Sequence, residues 1–277
     1  MPELPEVEVT RQGLLPHLLQ RRITTITWSS KRLRLPIPRK LLHESIQGNR
    51  IAAIDRRAKY LLIRMQDGSV LVFHLGMTGK LGVFPAAAPK APHDHLRLQL
   101  DNEMEMRFND VRRFGSISVW PAEQAIMQEE EFNSNKGIEP FSPEFTPANL
   151  VRLARRRSMP VKTFLMDSRI IAGIGNIYAN EILFAASIHP QTRVNSLSEK
   201  KWQEITGCCL QILTRAIAAG GSTISDFLGA SGNPGYFQLQ LAVYGKKDEA
   251  CPRCRAKINK ETLGGRATFF CSNCQSL

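Results

Sequence analysis

The sequence predicts an α+β protein in three parts: a strand-rich first half, a helical second half and a small metal-binding tail. Three observations carry this. Between about residues 23 and 120, short apolar runs and apolar/polar alternation dominate. From Thr146 onward the apolar spacing changes to three and four residues, the period of a helix. Beyond Ala250 lie four of the six cysteines, in two Cys-x2-Cys pairs. The expected division is a β-sandwich domain with an N-terminal helix at 1–132, a linker at 133–147, a helical domain at 148–240 and a four-cysteine finger at 241–277.

The first element reads as a short helix. Pro5 suits a first helical position, Glu6 and Glu8 complement the positive end of the helix dipole, and Gly13 with Pro16 brings it towards its close. Strands follow. Tyr60 to Met65 and Val70 to Leu75 are apolar runs separated by the turn signal Asp67-Gly68. Leu96, Leu98 and Leu100 alternate with polar residues, as do Met104, Met106 and Phe108, with Asp101-Asn102 as the turn. A sandwich or barrel is expected. Asn133, Asn135, Gly137, Pro140, Pro143 and Pro147 then interrupt any regular element, which marks a linker. Thr146-Pro147 opens a helix as cap and first position, and Ser158 with Pro160 repeats the device. Ser196 and Glu199 have capping-box spacing before a helix that Gly220-Gly221 stops.

In the tail, Cys251-x2-Cys254 and Cys271-x2-Cys274 place two thiolates on each of two tight turns, enough for a tetrahedral zinc site. Two disulfides are the alternative, disfavoured in a reducing compartment. Four thiolates leave no open coordination position, so one Zn2+ here is structural. Cys208 and Cys209, on the long helix, read as packing residues.

Composition narrows the partner. Forty-three per cent hydrophobic and 22 per cent charged residues are ordinary for a globular chain of 277 residues. No apolar run approaches the ~20 residues of a membrane span. The opening MPELPEVEVT does not resemble a secretion signal, so the cytosol is the expected compartment. Thirty-seven Lys and Arg against 25 Asp and Glu leave +12, which favours a polyanion. The arginines cluster at Arg21-Arg22, Arg56-Arg57, Arg112-Arg113 and Arg155-Arg156-Arg157, pointing to nucleic acid.

With these residues assembled, the chain resembles the formamidopyrimidine-DNA glycosylase family, which includes an endonuclease VIII branch. The resemblance rests on PELPEVE at Pro2 to Glu8, RRAKYL at Arg56 to Leu61, HLGMTG at His74 to Gly79 and RRFG at Arg112 to Gly115. It continues with GIGNIYANE at Gly173 to Glu181, GGSTISDF at Gly220 to Phe227, NPGYFQ at Asn233 to Gln238 and GRATFFC at Gly265 to Cys271. It implies an N-terminal β-sandwich, then a helix-two-turn-helix domain with a β-hairpin zinc finger. Leu4 in PELPE is similar to the branch that handles oxidised purines; the endonuclease VIII branch, with Gly at that position, prefers oxidised pyrimidines.

The resemblance also implies roles. Once Met1 is trimmed, Pro2 carries a secondary amine, and α-amino groups titrate near ~7.7–8.0, leaving a neutral nucleophilic fraction at physiological pH. Attack on the sugar C1′ expels the damaged base and leaves an iminium, which acidifies C2′ for strand scission by β- and then δ-elimination. Glu3 shuttles protons. Glu6 either helps hold the nucleophile or is a first-turn helix charge. Lys59, in a positive strand segment, meets the phosphate or sugar oxygen. Asn176, at a glycine-framed helix start, suits phosphate binding and also a helix cap. Arg266 on the finger hairpin grips phosphate, with His93, Arg113 and Lys162 as further DNA contacts and Glu181 as a second lesion-pocket carboxylate. A flipped base leaves a gap, which Met77, Arg112 and Phe114 would fill; without the resemblance, Met77 and Phe114 read as core. The segment Gly220–Gln238 would cover the everted purine. The expected partner is damaged double-stranded DNA, bound by a monomer at the bacterial nucleoid.

Two positions depart from the family pattern. Val111 stands where proline usually precedes RRFG, and Arg255 replaces the glycine that commonly follows the second zinc cysteine. A glycosylase for oxidised pyrimidines, or a non-catalytic lesion-binding protein on the same scaffold, are the competing readings.

Overall fold

The computed structural model describes residues 2–220 and 241–277. Two compact units divide the chain, the first running from Met1 to Asn133 and the second taking in Ser134–Ala219 and the tail.

The first unit opens with α1 (Leu4–Leu18), which has Glu3 as its N-cap and Pro5 in its first turn. The helix runs through Gly13 and Pro16 and ends at Leu18, close after the two residues that bring it towards its end. Leu14 and Leu18 are fully buried, and their packing outweighs a proline in the last turn, where few backbone bonds remain to lose. Strand β1 (Ile23–Trp28) and a short helical stretch, α2 (Arg39–Leu41), precede the remaining strands. These are β2 (Ile51–Arg57), β3 (Tyr60–Met65), β4 (Val70–His74), β5 (Gly79–Pro85), β6 (Asp94–Leu100), β7 (Met104–Asp110) and β8 (Ser116–Trp120).

They form two four-stranded sheets, β1-β6-β7-β5 and β2-β3-β4-β8. The inward side chains of both sheets share one core with α1, including Leu61, Ile63 and Phe73 from one sheet and Leu96, Leu98 and Phe108 from the other. This is the expected sandwich. Helix α3 (Ala125–Ser134) follows and reaches into the segment that reads as linker. Arg64 ties it to the sheet through a two-bonded pair with Glu129 at 2.7 and 2.8 Å.

Two chain crossings between the sheets position later features. The β4–β5 connection leaves one sheet for the other, and the β7–β8 connection returns. They lie back to back. Gly76 (φ +65) sits so close to the Phe114–Gly115 backbone that a Cβ there would meet Phe114 C and Gly115 N at 2.4 Å. Buried His95 braces the second crossing: its Nε2 bonds the Asp110 carbonyl at 3.0 Å and its Nδ1 pairs with Ser29 Oγ at 2.9 Å. A carbonyl can only accept, so Nε2 carries the proton and the Ser29 hydroxyl donates to Nδ1.

The second unit contains α4 (Pro147–Ala154), α5 (Val161–Met166), α6 (Asn176–Ala185) and α7 (Glu199–Ala218), then the hairpin β9 (Asn259–Leu263) and β10 (Arg266–Phe270). Thr146 caps α4 by accepting from Asn149 N, as its spacing predicts. At α7 the cap is Ser198, accepting from Lys201 N, and not Ser196, which lies in a 3-10 turn. At α5 the cap position falls on Pro160, with no side-chain bond from Ser158. The helical core gathers Leu150, Phe164, Tyr178, Ile182, Trp202, Ile205 and Leu213. Cys209 is fully buried in it and burial pushes its thiol pKa up, so it packs and does not react.

Burial, partly offset by the hydrogen bond to Asp110, holds the His95 pKa below its ordinary value, against a background that also includes the charges of Asp110, His93 and Arg113. A base with a depressed folded-state pKa contributes stability that is complete above the unfolded value of ~6.5 and lost as pH falls below it. Urea midpoints should therefore drop between pH 7.5 and 5.5, and His95→Gln should lose part of that drop. An unchanged pH profile in the variant would remove His95 from the account.

Candidate active site

In the first unit the site begins at the chain's own start. Glu3 is 1 % exposed, and its backbone N–H donates to the Glu6 carboxylate at 2.8 Å. Glu6 is itself buried, and Leu4 beside it is fully enclosed. The two glutamates form a capping box, so the first turn of α1 grips the residue that follows Pro2. The bond places Glu6 in the first turn of α1, closing on the Glu3 amide. Its carboxylate is aimed at backbone rather than left in solvent.

Lys59 lies not in a strand but in the two-residue turn between β2 and β3, with Ala58 at φ +55. That turn is tied to α1. Arg56 donates to the Ala58 carbonyl at 3.0 Å and to Glu8 at 3.2 Å, and Glu8 also takes a bond from Arg11 at 2.7 Å. Burial would raise the Glu8 pKa, but Arg11, Gln12 and Arg56 outweigh it and hold the carboxyl below the usual range. Hence Arg56-Arg57, read in sequence as part of a DNA-facing basic surface, is committed internally; Arg57 donates to Asn133 Oδ1 at 3.1 Å. Arg112, Arg113 and Arg155 to Arg157 remain exposed.

On the paired crossings, Met77 is 38 % and Phe114 46 % exposed, so neither is core. The Arg112 guanidinium lies 4.7 Å over the Phe114 ring. Exposed Val111 occupies the second position of a turn closed by Arg113 N to Asp110 O at 3.3 Å. His93 is exposed nearby, with φ +68.

In the second unit the finger hairpin is fastened to the helices by side chains that sequence reasoning assigned elsewhere. Lys162 is 1 % exposed; its ammonium donates to Ala267 O at 3.0 Å and Thr268 Oγ1 at 2.7 Å. It therefore supports the hairpin from beneath, where the sequence reading places it among the DNA contacts. Asn176, in the first turn of α6, donates to the same Ala267 carbonyl at 2.9 Å, while its Oδ1 is buried without a hydrogen-bond partner. Asn180, one turn on, accepts from Phe269 N at 2.7 Å. Glu181 spends its carboxylate on three backbone amides, Ala242 N, Val243 N and Tyr244 N, at 2.7–2.9 Å. That geometry anchors the chain leading into the finger. It leaves the expected lesion-pocket role of Glu181 without support among the described residues.

Arg266 stands exposed at the start of β10, immediately after the Gly264-Gly265 turn, where both residues have positive φ. The four sulfur atoms of Cys251, Cys254, Cys271 and Cys274 lie within 4.8 Å of one another, the arrangement one tetrahedral metal ion requires. Gln275 braces the cluster from behind, accepting from Cys271 N at 3.0 Å and donating to Ile188 O at 2.9 Å. Arg253 docks the first knuckle on the end of α6 through Ala185 O at 2.9 Å and Ser187 Oγ at 2.8 Å. Sequence reasoning missed Asn180, Gln275 and Asp110; the first lies inside a quoted motif, and its spacing four after Asn176 was the available signal. The segment expected to cover an everted purine lies, apart from Gly220, outside the described residues.

Three family profiles match this chain: the formamidopyrimidine-DNA glycosylase N-terminal domain over residues 1–117, the formamidopyrimidine-DNA glycosylase H2TH domain over 137–228, and a zinc finger found in FPG and IleRS over 248–277. A formamidopyrimidine-DNA glycosylase from Alteromonas mediterranea is 43% identical over 99% of this chain and 100% of its own length. The chain belongs to the formamidopyrimidine-DNA glycosylase family. Among solved structures, a point mutant of the Lactococcus lactis FPG in complex with a Fapy-dG containing DNA superposes with a TM-score of 0.88 at 32% identity, covering both chains fully. The wild-type Lactococcus lactis protein with an oxidised pyrimidine containing DNA gives 0.87 at 33%, again over the full length of both. The zinc-finger profile and the cysteine geometry together assign the metal as one structural zinc ion. No described helix is long and apolar enough to cross a membrane.

Of the two departures from the family pattern, the one at Arg255 carries a measurable cost. Its φ is +67, and its N–H closes the knuckle onto Cys251 O at 2.9 Å. A non-glycine residue in this region costs about 1 kcal/mol or more. Arg255→Gly should slow zinc loss to a competing chelator by about fivefold, the glycine's looser unfolded state offsetting part of the gain. Faster loss would show that the arginine side chain stabilises the finger by some other contact.

Proposed function

We propose that this chain is a bifunctional DNA glycosylase/AP lyase of base excision repair, excising oxidised purines such as 8-oxoguanine and formamidopyrimidines from damaged double-stranded DNA. One observation carries the reading: the residue next to Pro2 is a buried glutamate whose backbone is held at 2.8 Å by a second buried glutamate. A flexible terminus needs no such fixing, whereas a terminal nucleophile does, since orientation supplies much of its rate.

In the proposed reaction the Pro2 nitrogen, freed by removal of Met1, forms a bond to C1′ as the bond from C1′ to the damaged base breaks. Glu3 delivers the proton that the departing base or opening sugar requires. Opening of the sugar leaves an iminium between Pro2 and C1′. Loss of the C2′ proton then expels the 3′ phosphate, and a second elimination releases the 5′ phosphate. Lys59, on its turn braced by Arg56, serves the phosphate or sugar oxygen. Arg266, Asn176, His93 and Arg113 hold phosphates, a role that the exposed guanidinium of Arg266 and the helix-start position of Asn176 support. Lys162 and Glu181 act indirectly, by holding the hairpin that carries Arg266 and the chain that enters it. Met77, Arg112 and Phe114 fill the gap that the everted base leaves. The proposal takes the protein as a cytoplasmic monomer, at the nucleoid through its DNA.

Preference for oxidised pyrimidines is the second reading, favoured by the Lactococcus lactis complex with oxidised pyrimidine DNA. Against it stands Leu4, fully buried at the first position of α1.

Borohydride should trap a covalent protein–DNA adduct on duplex bearing 8-oxoguanine opposite cytosine, and Pro2→Gly should abolish it; wild-type protein lacking Met1 that gives no adduct overturns the mechanism. Excision should slow as pH falls below the ~7.7–8.0 at which an α-amino group titrates, because protonation removes the attacking lone pair. On matched duplexes the purine lesion should be excised at least about tenfold faster than an oxidised pyrimidine. The reverse order would transfer the preference to the second reading.

A further inference from the structure

The carboxylate of Asp110 has no part in the chemistry above, yet it is 0 % exposed and joins two loops that the sequence keeps more than thirty residues apart. Its Oδ1 accepts the Thr78 hydroxyl at 2.5 Å, and its Oδ2 accepts Gly115 N–H at 2.7 Å. Thr78 passes the connection on, since its Oγ1 accepts Arg112 N–H at 3.1 Å. The main chain of Asp110 is equally engaged, its N–H donating to His93 O at 3.1 Å and its carbonyl accepting from His95 Nε2 at 3.0 Å. Every residue bonded to the side chain adjoins a proposed gap-filling residue. Thr78 follows Met77 and Gly115 follows Phe114, while Arg112 is joined at one remove, its N–H donating to Thr78 Oγ1.

We propose that Asp110 and Thr78 are positioning residues that clip the Met77 loop and the Arg112–Phe114 loop into one rigid wedge. The proposal rests on the insertion reading of Met77, Arg112 and Phe114. Pushing apolar side chains into a base stack costs a few kcal/mol, and a wedge whose two halves could part would add the cost of ordering them on binding. Burial makes a carboxylate suited to this task. It offers acceptors in two directions, one for each loop, and an unmade bond in that enclosed place is costly. An asparagine offers one acceptor and one donor in place of two acceptors, so the Thr78 hydroxyl must reverse and accept from the amide, and the two charge-assisted bonds of the carboxylate are lost. The backbone contact of Gly76 with Phe114 and Gly115 brings the loops together, and the clip fixes their register.

The test uses Thr78→Val, which removes the hydroxyl and leaves the bond between Asp110 and Gly115, with Thr78→Ser as rescue, Asp110→Asn as a second route and Phe114→Ala as the reference for insertion. Single-turnover excision of 8-oxoguanine is measured in paired duplex and in a single strand, where no stack has to be entered, on variants whose thermal midpoint matches wild type. Thr78→Val and Asp110→Asn should each slow excision in duplex about tenfold, the effect of one lost hydrogen bond to a charged group, with the single-strand rate unchanged. Thr78→Ser should restore the duplex rate, and Thr78→Val added to Phe114→Ala should cost nothing more. Wild-type duplex rates in Thr78→Val beside a slow Phe114→Ala overturn the clip and leave insertion standing. Equal losses on both substrates also overturn it, as structural damage alone. If Phe114→Ala loses nothing in duplex, the insertion reading itself fails, and the clip's purpose with it.

Discussion

The nucleophile proposed at Pro2 would be held only from one side, and what fixes the chain beside it is the constraint on which the proposed site depends. The solution is the first turn of α1. Leu4 is buried, Glu3 is buried at the cap, and the Glu6 carboxylate closes on the Glu3 amide. A helix start has unsatisfied N–H groups in any case, so the same bond that completes the helix also immobilises the residue beside Pro2. The helix is fixed in turn by Val7, Leu14 and Leu18 in the sandwich core and by the Glu8–Arg56 pair. Because Arg56 also holds the Ala58 carbonyl, the turn bearing Lys59 is referenced to the same helix.

A second device recurs in both units: buried polar side chains are spent on backbone groups of distant segments. Asp110 takes Gly115, Glu181 takes three consecutive amides, Asn180 takes Phe269, and Lys162 and Asn176 share the Ala267 carbonyl. Such bonds fix distance and direction together, whereas apolar packing alone tolerates sliding. Loops and a two-stranded hairpin bury little apolar surface, so they need this support. The zinc site serves the same end at the finger, where Val243, Ile258 and Phe269 are among the few buried apolar side chains of the described residues.

The sequence was a good guide wherever the signal was local. Tyr60–Met65 and Val70–His74 are strands nearly as their apolar runs predict, the Thr146 cap forms, and the cysteine spacing assembles one site. It failed where packing decided. Ser196 does not cap α7, because Ser198 is better placed. Helix α3 was hidden in a segment without a strong apolar period. In the site, residue types were legible and partners were not. Lys162 and Glu181 carry the charges that DNA contacts and acid/base groups need, but burial and backbone bonds give them structural work.

By itself, then, the sequence determined the order of the parts, the zinc ligands, and a terminus of proline and two glutamates suited to amine catalysis. These are properties of residue type and spacing, which survive without knowledge of neighbours. Only the tertiary structure decided that Arg56 faces inward while Arg112 and Phe114 face outward, and that Asp110 joins two loops. Each depends on which segments meet across the sandwich, and a hydrogen bond between residues more than thirty positions apart leaves no periodic trace in the chain.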